Sequence, residues 1–140
     1  MKMAAARNDD RRQPARQIAG ATLVLGMGGT GVSCARFLAA RGGRAIFADT
    51  RSMPPGMAAI RAAMPAAEIL SAGPPPLVPA GVDRILVSPG VDLRLPVLAD
   101  ARQRGVPVLS DIDLFAAEVK APITAITGSN GKSTVTSMVG

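Results

Sequence analysis

Six residues, Gly26-Met27-Gly28-Gly29-Thr30-Gly31, restrict this chain more than any others. They follow an apolar, β-branched run at 21–25 and precede residues 32–41, where Val32, Ala35, Phe37 and Leu38 share one helical face. A GxGxxG at such a junction lets the backbone turn tightly, packs helix on strand and brings main-chain N–H groups close to a diphosphate. A plain glycine turn would account for the packing alone. A second strand-like run, 45–48, ends at Asp49, where the ribose ligand of a dinucleotide fingerprint stands, with Arg51 two residues on. The unit is βαβ, and it points to nucleotide binding.

The alternation continues with a helix predicted at 57–64, a strand at 85–87, a helix at 96–105 and an extended stretch at 106–109. Continuous apolar strands between amphipathic helices predict an α/β fold, a Rossmann-like parallel sheet covered on both faces. The Pro-rich stretch 73–79 reads as a rigid surface connector. A third block opens near Ser110, with Asp111 expected to cap a helix through about Val119. Pro122 breaks that pattern, and 123–127 reads as a buried strand. The expected organisation is a flexible basic tail at 1–20, the Rossmann-like domain at 21–109 and the start of a further domain at 110–140. About nine residues follow Gly131, fewer than the roughly 12–15 an isolated helix needs, so the chain is expected to be a fragment of a longer protein.

The predicted strand 123–127 leads into a second loop, Gly128-Ser129-Asn130-Gly131-Lys132-Ser133-Thr134. Its backbone amides suit the β- and γ-phosphates of ATP, Lys132 adds a point charge, and the Ser133 hydroxyl suits Mg²⁺. A strict GxxxxGK[ST] would place glycine where Ile126 stands, so the pattern is met in its second half only. Ser88-Pro89-Gly90 forms a turn at the end of the 85–87 strand, where ligands bind in open α/β sheets.

Composition narrows the alternatives. Residues 1–20 hold +3 of the +6 net charge, the remainder is scattered, and aromatics are 2%, all Phe, so neither a basic stripe nor a base-stacking platform for nucleic acid is present. With no histidine, a His triad or His metal site within this chain is excluded. The single cysteine, Cys34, sits among apolar neighbours and is expected to be a buried thiol, in keeping with a reducing cytoplasm. No signal-peptide core or apolar span of about 18 residues is found, so a membrane association is not expected.

Taken together, Gly26–Gly31 followed by Asp49-Thr50-Arg51, Ser88-Pro89-Gly90, 110–115 and the run from Ile126 to Thr136 resembles the Mur ligase family, and within it the D-glutamate-adding ligases of peptidoglycan synthesis. The resemblance covers 21–140, and the order of the motifs is more specific than any one of them. That family's ATP loop lacks the first glycine, which accounts for Ile126; its usual threonine is serine at 129 here. The resemblance implies that Gly29, Thr30, Asp49, Thr50, Arg51, Ser88 and Gly90 bind UDP-N-acetylmuramoyl-L-alanine. Gly128 through Thr134 would bind ATP, with Lys132 catalytic and Ser133 on the Mg²⁺. The alanine carboxylate would take the γ-phosphate as an acyl phosphate, which the amine of D-glutamate displaces. A monomer is expected. The alternatives are an NAD-dependent dehydrogenase, a sibling ligase of the pathway, and a non-catalytic UDP-sugar-binding module.

The family's second metal ligands and its amino-acid-binding domain are not in these 140 residues. The 140-residue chain alone is therefore expected to bind ATP poorly and to ligate nothing. An ATP titration giving a micromolar Kd would overturn that.

Overall fold

The computed structural model describes residues 20–119 and 137–138. Residues 1–19, the strand expected at 123–127 and the proposed ATP loop, Gly128, Ser129, Asn130, Gly131, Lys132, Ser133 and Thr134, lie outside the described residues.

The elements run β1 (Ala21–Leu25), α1 (Gly29–Ala40), β2 (Arg44–Ala48), α2 (Met57–Ala63), β3 (Glu68–Leu70), β4 (Val82–Val87), α3 (Pro96–Gln103), β5 (Val108–Leu109) and α4 (Asp111–Glu118). All described strand pairs are parallel, in the order β3-β2-β1-β4-β5. The chain walks outward from β1 to β3, then crosses back to lay β4 on the other side of β1. That reversal opens a crevice beyond the carboxyl ends of β1 and β4, the place where such sheets bind ligands.

The apolar strand runs are explained by burial on both faces. Every residue of β1 is buried. Leu23 and Leu25 pack with Val97, Leu98 and Ala101 of α3, while Val24 and Phe47 pack with Cys34, Ala35 and Leu38 of α1 and Ile60 of α2. Each Val, Leu, Ile or Phe side chain among them contributes about 1.5–3 kcal/mol by leaving water. Cys34 is buried as expected, and burial, with the negative charge of Asp111 adding to it, pushes its thiol up to about 11.

Several boundaries differ from the sequence expectations, each for a physical reason. Helix α1 starts at Gly29, inside the glycine motif, because the loop closes within three residues of β1. Strand β3 was not expected: its three residues form a ladder only because β2 offers a free edge. The cap of α4 is Ser110, not Asp111. Its hydroxyl accepts the Asp113 N–H at 3.1 Å while its own N–H donates to the Asp113 carboxylate at 2.8 Å, a reciprocal capping box. The connector at 73–79 is more than surface. Val78 is buried, its N–H donates to Asp100 Oδ2 at 2.8 Å and its carbonyl accepts from Arg104 Nη1 at 2.8 Å, which fastens the connector to α3.

Thr22 is fully buried in β1, and its hydroxyl has no hydrogen-bond partner among the described residues. Replacing it with isosteric valine removes an unpaired polar group from the core. Urea unfolding of Thr22→Val is expected to show a gain of about 1 kcal/mol, and a loss would mean that the hydroxyl is bonded.

Candidate functional site

A cleft of about 610 Å³ lies beyond the carboxyl ends of β1, β2 and β4. Its lining includes all seven residues that the sequence assigned to the UDP-precursor: Gly29, Thr30, Asp49, Thr50, Arg51, Ser88 and Gly90. These come from three separate loops, and only the parallel strand order brings them together.

The glycines of the first loop do different work. Gly26 has φ +98°, and a Cβ there would stand 2.7 Å from Ser88 Oγ. A Cβ on Gly31 would stand 2.3 Å from the Gly26 carbonyl oxygen, so this glycine lets α1 rest directly on the loop. Around Gly28 and Gly29 an added Cβ would meet nothing within 4 Å. Their bare backbone faces the cleft at the start of α1, where no side chain caps the helix and no acidic residue sits in the first turn. The free N–H groups and the partial positive charge of the helix end favour an anion there.

Asp49 holds this loop in place. Its side chain is only 4% exposed, and both oxygens are engaged. Oδ2 accepts the Met27 N–H at 2.8 Å and Arg51 Nη2 at 2.7 Å; Oδ1 accepts the Arg51 N–H and Nε, each at 2.9 Å. A carboxylate offers about four lone-pair sites, so these donors use all of them. The Arg51 guanidinium holds the Asp49 carboxyl well below the usual carboxylate range, with the Met27 and Arg51 N–H groups helping against the opposing effect of burial. Met27 is pinned from the other side as well, its carbonyl accepting the Gly56 N–H at 2.8 Å. Sequence reasoning placed Asp49 beside a ribose or uridine; a ligand hydroxyl or N–H can donate to it only by displacing a protein donor. Thr50, by contrast, is exposed, and no described residue bonds its main-chain N–H or carbonyl.

The far wall carries Val91, next to the Ser88-Pro89-Gly90 turn, and residues that the motifs did not single out: Pro74, Asp92 and Leu95. Asp92 repeats the Asp49 pattern, its carboxylate taking the N–H, Nε and Nη2 of Arg94 at 2.9–3.0 Å, but out in solvent. The repeated Asp-x-Arg was the available sequence signal. Among the described residues no group of three His, Cys, Asp or Glu could hold a metal, and no helix is long and apolar enough to cross a membrane.

The two kinds of glycine should separate experimentally. Gly31→Ala forces a Cβ onto backbone and is expected to cost more than about 2 kcal/mol in urea unfolding, whereas Gly28→Ala should unfold like the parent. Asp49→Asn, which keeps the shape and removes the charge, is expected to cost about 2 kcal/mol at pH 7. Because folding lowers this carboxyl's pKa, its stabilisation is complete above the unfolded value near 4 and is lost as pH falls towards the folded value. A parent curve of stability against pH that falls below about pH 4, and falls less steeply in Asp49→Asn, would fit this; parallel curves would refute it.

Comparison with known proteins agrees with this geometry. Over 123 residues the chain is 49% identical to the UDP-N-acetylmuramoylalanine–D-glutamate ligase of Nitrosococcus oceani, covering 88% of this chain and 27% of that enzyme. The ligase of the same description from Pseudomonas aeruginosa is 47% identical over 118 residues, covering 84% of this chain and 26% of the enzyme. The chain thus spans about a quarter of the length of these curated relatives. Among solved structures, a pseudomurein peptide ligase type C from Methanothermus fervidus shares the fold, with a TM-score of 0.57 at 23% identity over 86% of this chain and 25% of that one. The family profile for the Mur ligase MurD-like N-terminal domain matches residues 20–110, the span that builds the sheet and the cleft, and the chain belongs to that family.

Proposed function

We propose that this chain supplies the UDP-precursor-binding domain of the ATP-dependent ligase that joins D-glutamate to UDP-N-acetylmuramoyl-L-alanine in peptidoglycan synthesis. The observation that carries this reading is the convergence of three loops on one cleft: the glycine loop at the start of α1, Thr50 with Arg51, and Ser88 with Gly90.

In this reading the diphosphate lies over Gly28, Gly29 and Thr30, where bare backbone and a helix N-terminus meet it. The uracil lies at Thr50, whose unbonded N–H and carbonyl match the acceptor and donor on the imide edge of a pyrimidine. Arg51, its guanidinium held by Asp49, offers a flat cationic surface beside the base. Ser88 and Gly90 border the sugar. ATP and Mg²⁺ belong to residues 128–134, with Lys132 and Ser133 in the roles their motif implies. There the γ-phosphoryl passes to the alanine carboxylate, and the amine of D-glutamate displaces phosphate to form the amide. The domain described here contributes positioning, holding the carboxylate end of the precursor so that it can reach that loop.

A dinucleotide reading uses the same glycine loop but asks the acidic residue after β2 to accept a ribose diol. Asp49 already receives donors on both oxygens, which disfavours it. Calorimetric titrations of the chain with UDP-N-acetylmuramoyl-L-alanine and, in parallel, with NADH distinguish the two. Binding of the UDP-precursor alone, weakened at least about tenfold in Gly28→Ala by a methyl placed against the diphosphate, is the expected result. Binding of NADH alone would move the chain to the dehydrogenases, and binding of neither would refute both.

A further inference from the structure

The segment after β3 does not leave the sheet when the strand ends. The Asp49 N–H donates to the Leu70 carbonyl at 3.0 Å, the Gly73 N–H donates to the Asp49 carbonyl at 2.9 Å, and the Ala72 N–H donates to the Arg51 carbonyl at 3.1 Å. Residues 70–73 are thereby laced to 49–51, extending the β2–β3 ladder to the edge of the cleft. The chain then bends sharply. Ala72 has φ +66°, the only positive φ of a non-glycine residue among those described, and Gly73 follows at φ +141°. An alanine adopts that conformation at a cost and keeps it only where its surroundings hold it there, and such strain collects at functional sites. The residue delivered by the bend is Pro74, which is half-buried and lines the cleft with Thr50 and Arg51.

We propose that Pro74 is the wall that sets nucleobase specificity, admitting a single-ring pyrimidine at Thr50 and excluding a fused-ring purine. This rests on the proposed function, which places the base at Thr50. Three features suit Pro74 to the task. Its ring fixes its own backbone angle, so the wall has little give. It presents only C–H groups, so it selects by size and offers no hydrogen bond to a competing base. Two main-chain hydrogen bonds from the residues just before it tie it to the segment that reads the base, so a purine could not push it aside without breaking them. Pro75 and Pro76 follow in sequence but do not line the cleft.

The test is equilibrium titration of the 140-residue chain with UDP and with ADP, in the parent, Pro74→Gly and Pro76→Gly, with circular dichroism confirming that each variant is folded. The parent is expected to favour UDP by at least about tenfold, the scale of discrimination a shaped apolar pocket achieves. Pro74→Gly should tighten ADP binding and bring the preference to about threefold or less, with UDP affinity changed by less than about threefold. Pro76→Gly should keep the parent's preference. An unchanged preference in Pro74→Gly, with UDP still bound, overturns the wall and leaves the proposed function standing. An equal fall in both variants also overturns it, since the effect would then be chain stiffness. Binding of neither nucleotide by the folded parent removes the proposed function and the wall with it.

Discussion

A carboxylate buried without partners costs several kcal/mol, so the position of Asp49 at the end of β2 is tenable only because four donors converge on it. One of them, the Met27 N–H, belongs to the loop after β1, and the other three belong to Arg51 in the loop after β2. The carboxylate therefore joins the loops that emerge from two neighbouring strands and fixes the backbone between Gly26 and Gly28. The third central strand enters through Ser88, whose N–H donates to the Leu25 carbonyl at 3.0 Å and whose hydroxyl lies 3.4 Å from the Gly26 carbonyl. Without Asp49 the Met27 N–H would be a buried orphan and Arg51 would lose the partner that orients it. The open backbone of Gly28 and Gly29 is preorganised by a charge that itself has no lone pair to spare.

The contrast with Asp92 shows that the hydrogen-bond pattern alone does not confer this role. Asp92 and Arg94 repeat the same local clamp, yet Arg94 is 90% exposed and neither residue reaches a second element through it. An exposed pair of this kind competes with water and holds little beyond its own turn. At Asp49 the same pair is buried on the acidic side and carries a fourth donor from 22 residues earlier. Burial and the distant donor convert a local turn into a joint between loops.

Much of the fold could be read from the chain because its information is local. Apolar β-branched runs between helical periodicities announced β1, β2 and β4, and the glycine spacing placed the turn between β1 and α1. What escaped was what long-range partners decide. Three residues from Glu68 to Leu70 carry no strand signal of their own and become a strand because β2 pairs with them. Ser110 outcompeted Asp111 as the cap because a carboxylate three residues on could answer its N–H. Pro74 read as a connector residue and Asp92 carried no signal in any motif, and only the strand order shows that they face the same cleft as the glycine loop. The place of Asp49 at the end of β2 was visible, but its inward partners were not, since the Met27 amide carries no mark in the sequence.

Recognition in a cleft of this design is divided by physical necessity. Phosphates can be met by main chain, since any glycine loop at a helix start offers N–H groups, and the selectivity this provides is for charge and shape of the anion. A nucleobase is distinguished by its edge and its size, which requires groups that differ between proteins. The strands cannot supply them, because β1, β2 and β4 are committed to two cores, one on each side of the sheet. The segments left to vary are those after β2, β3 and β4, which end at Arg51, Pro74 and Asp92 in the cleft. Of these, the segment after β3 is the one whose backbone is both bent into a strained angle and tied to Asp49 and Arg51. A fold of this kind can therefore keep its sheet and glycine loop while the bent segment is rewritten for a different ligand.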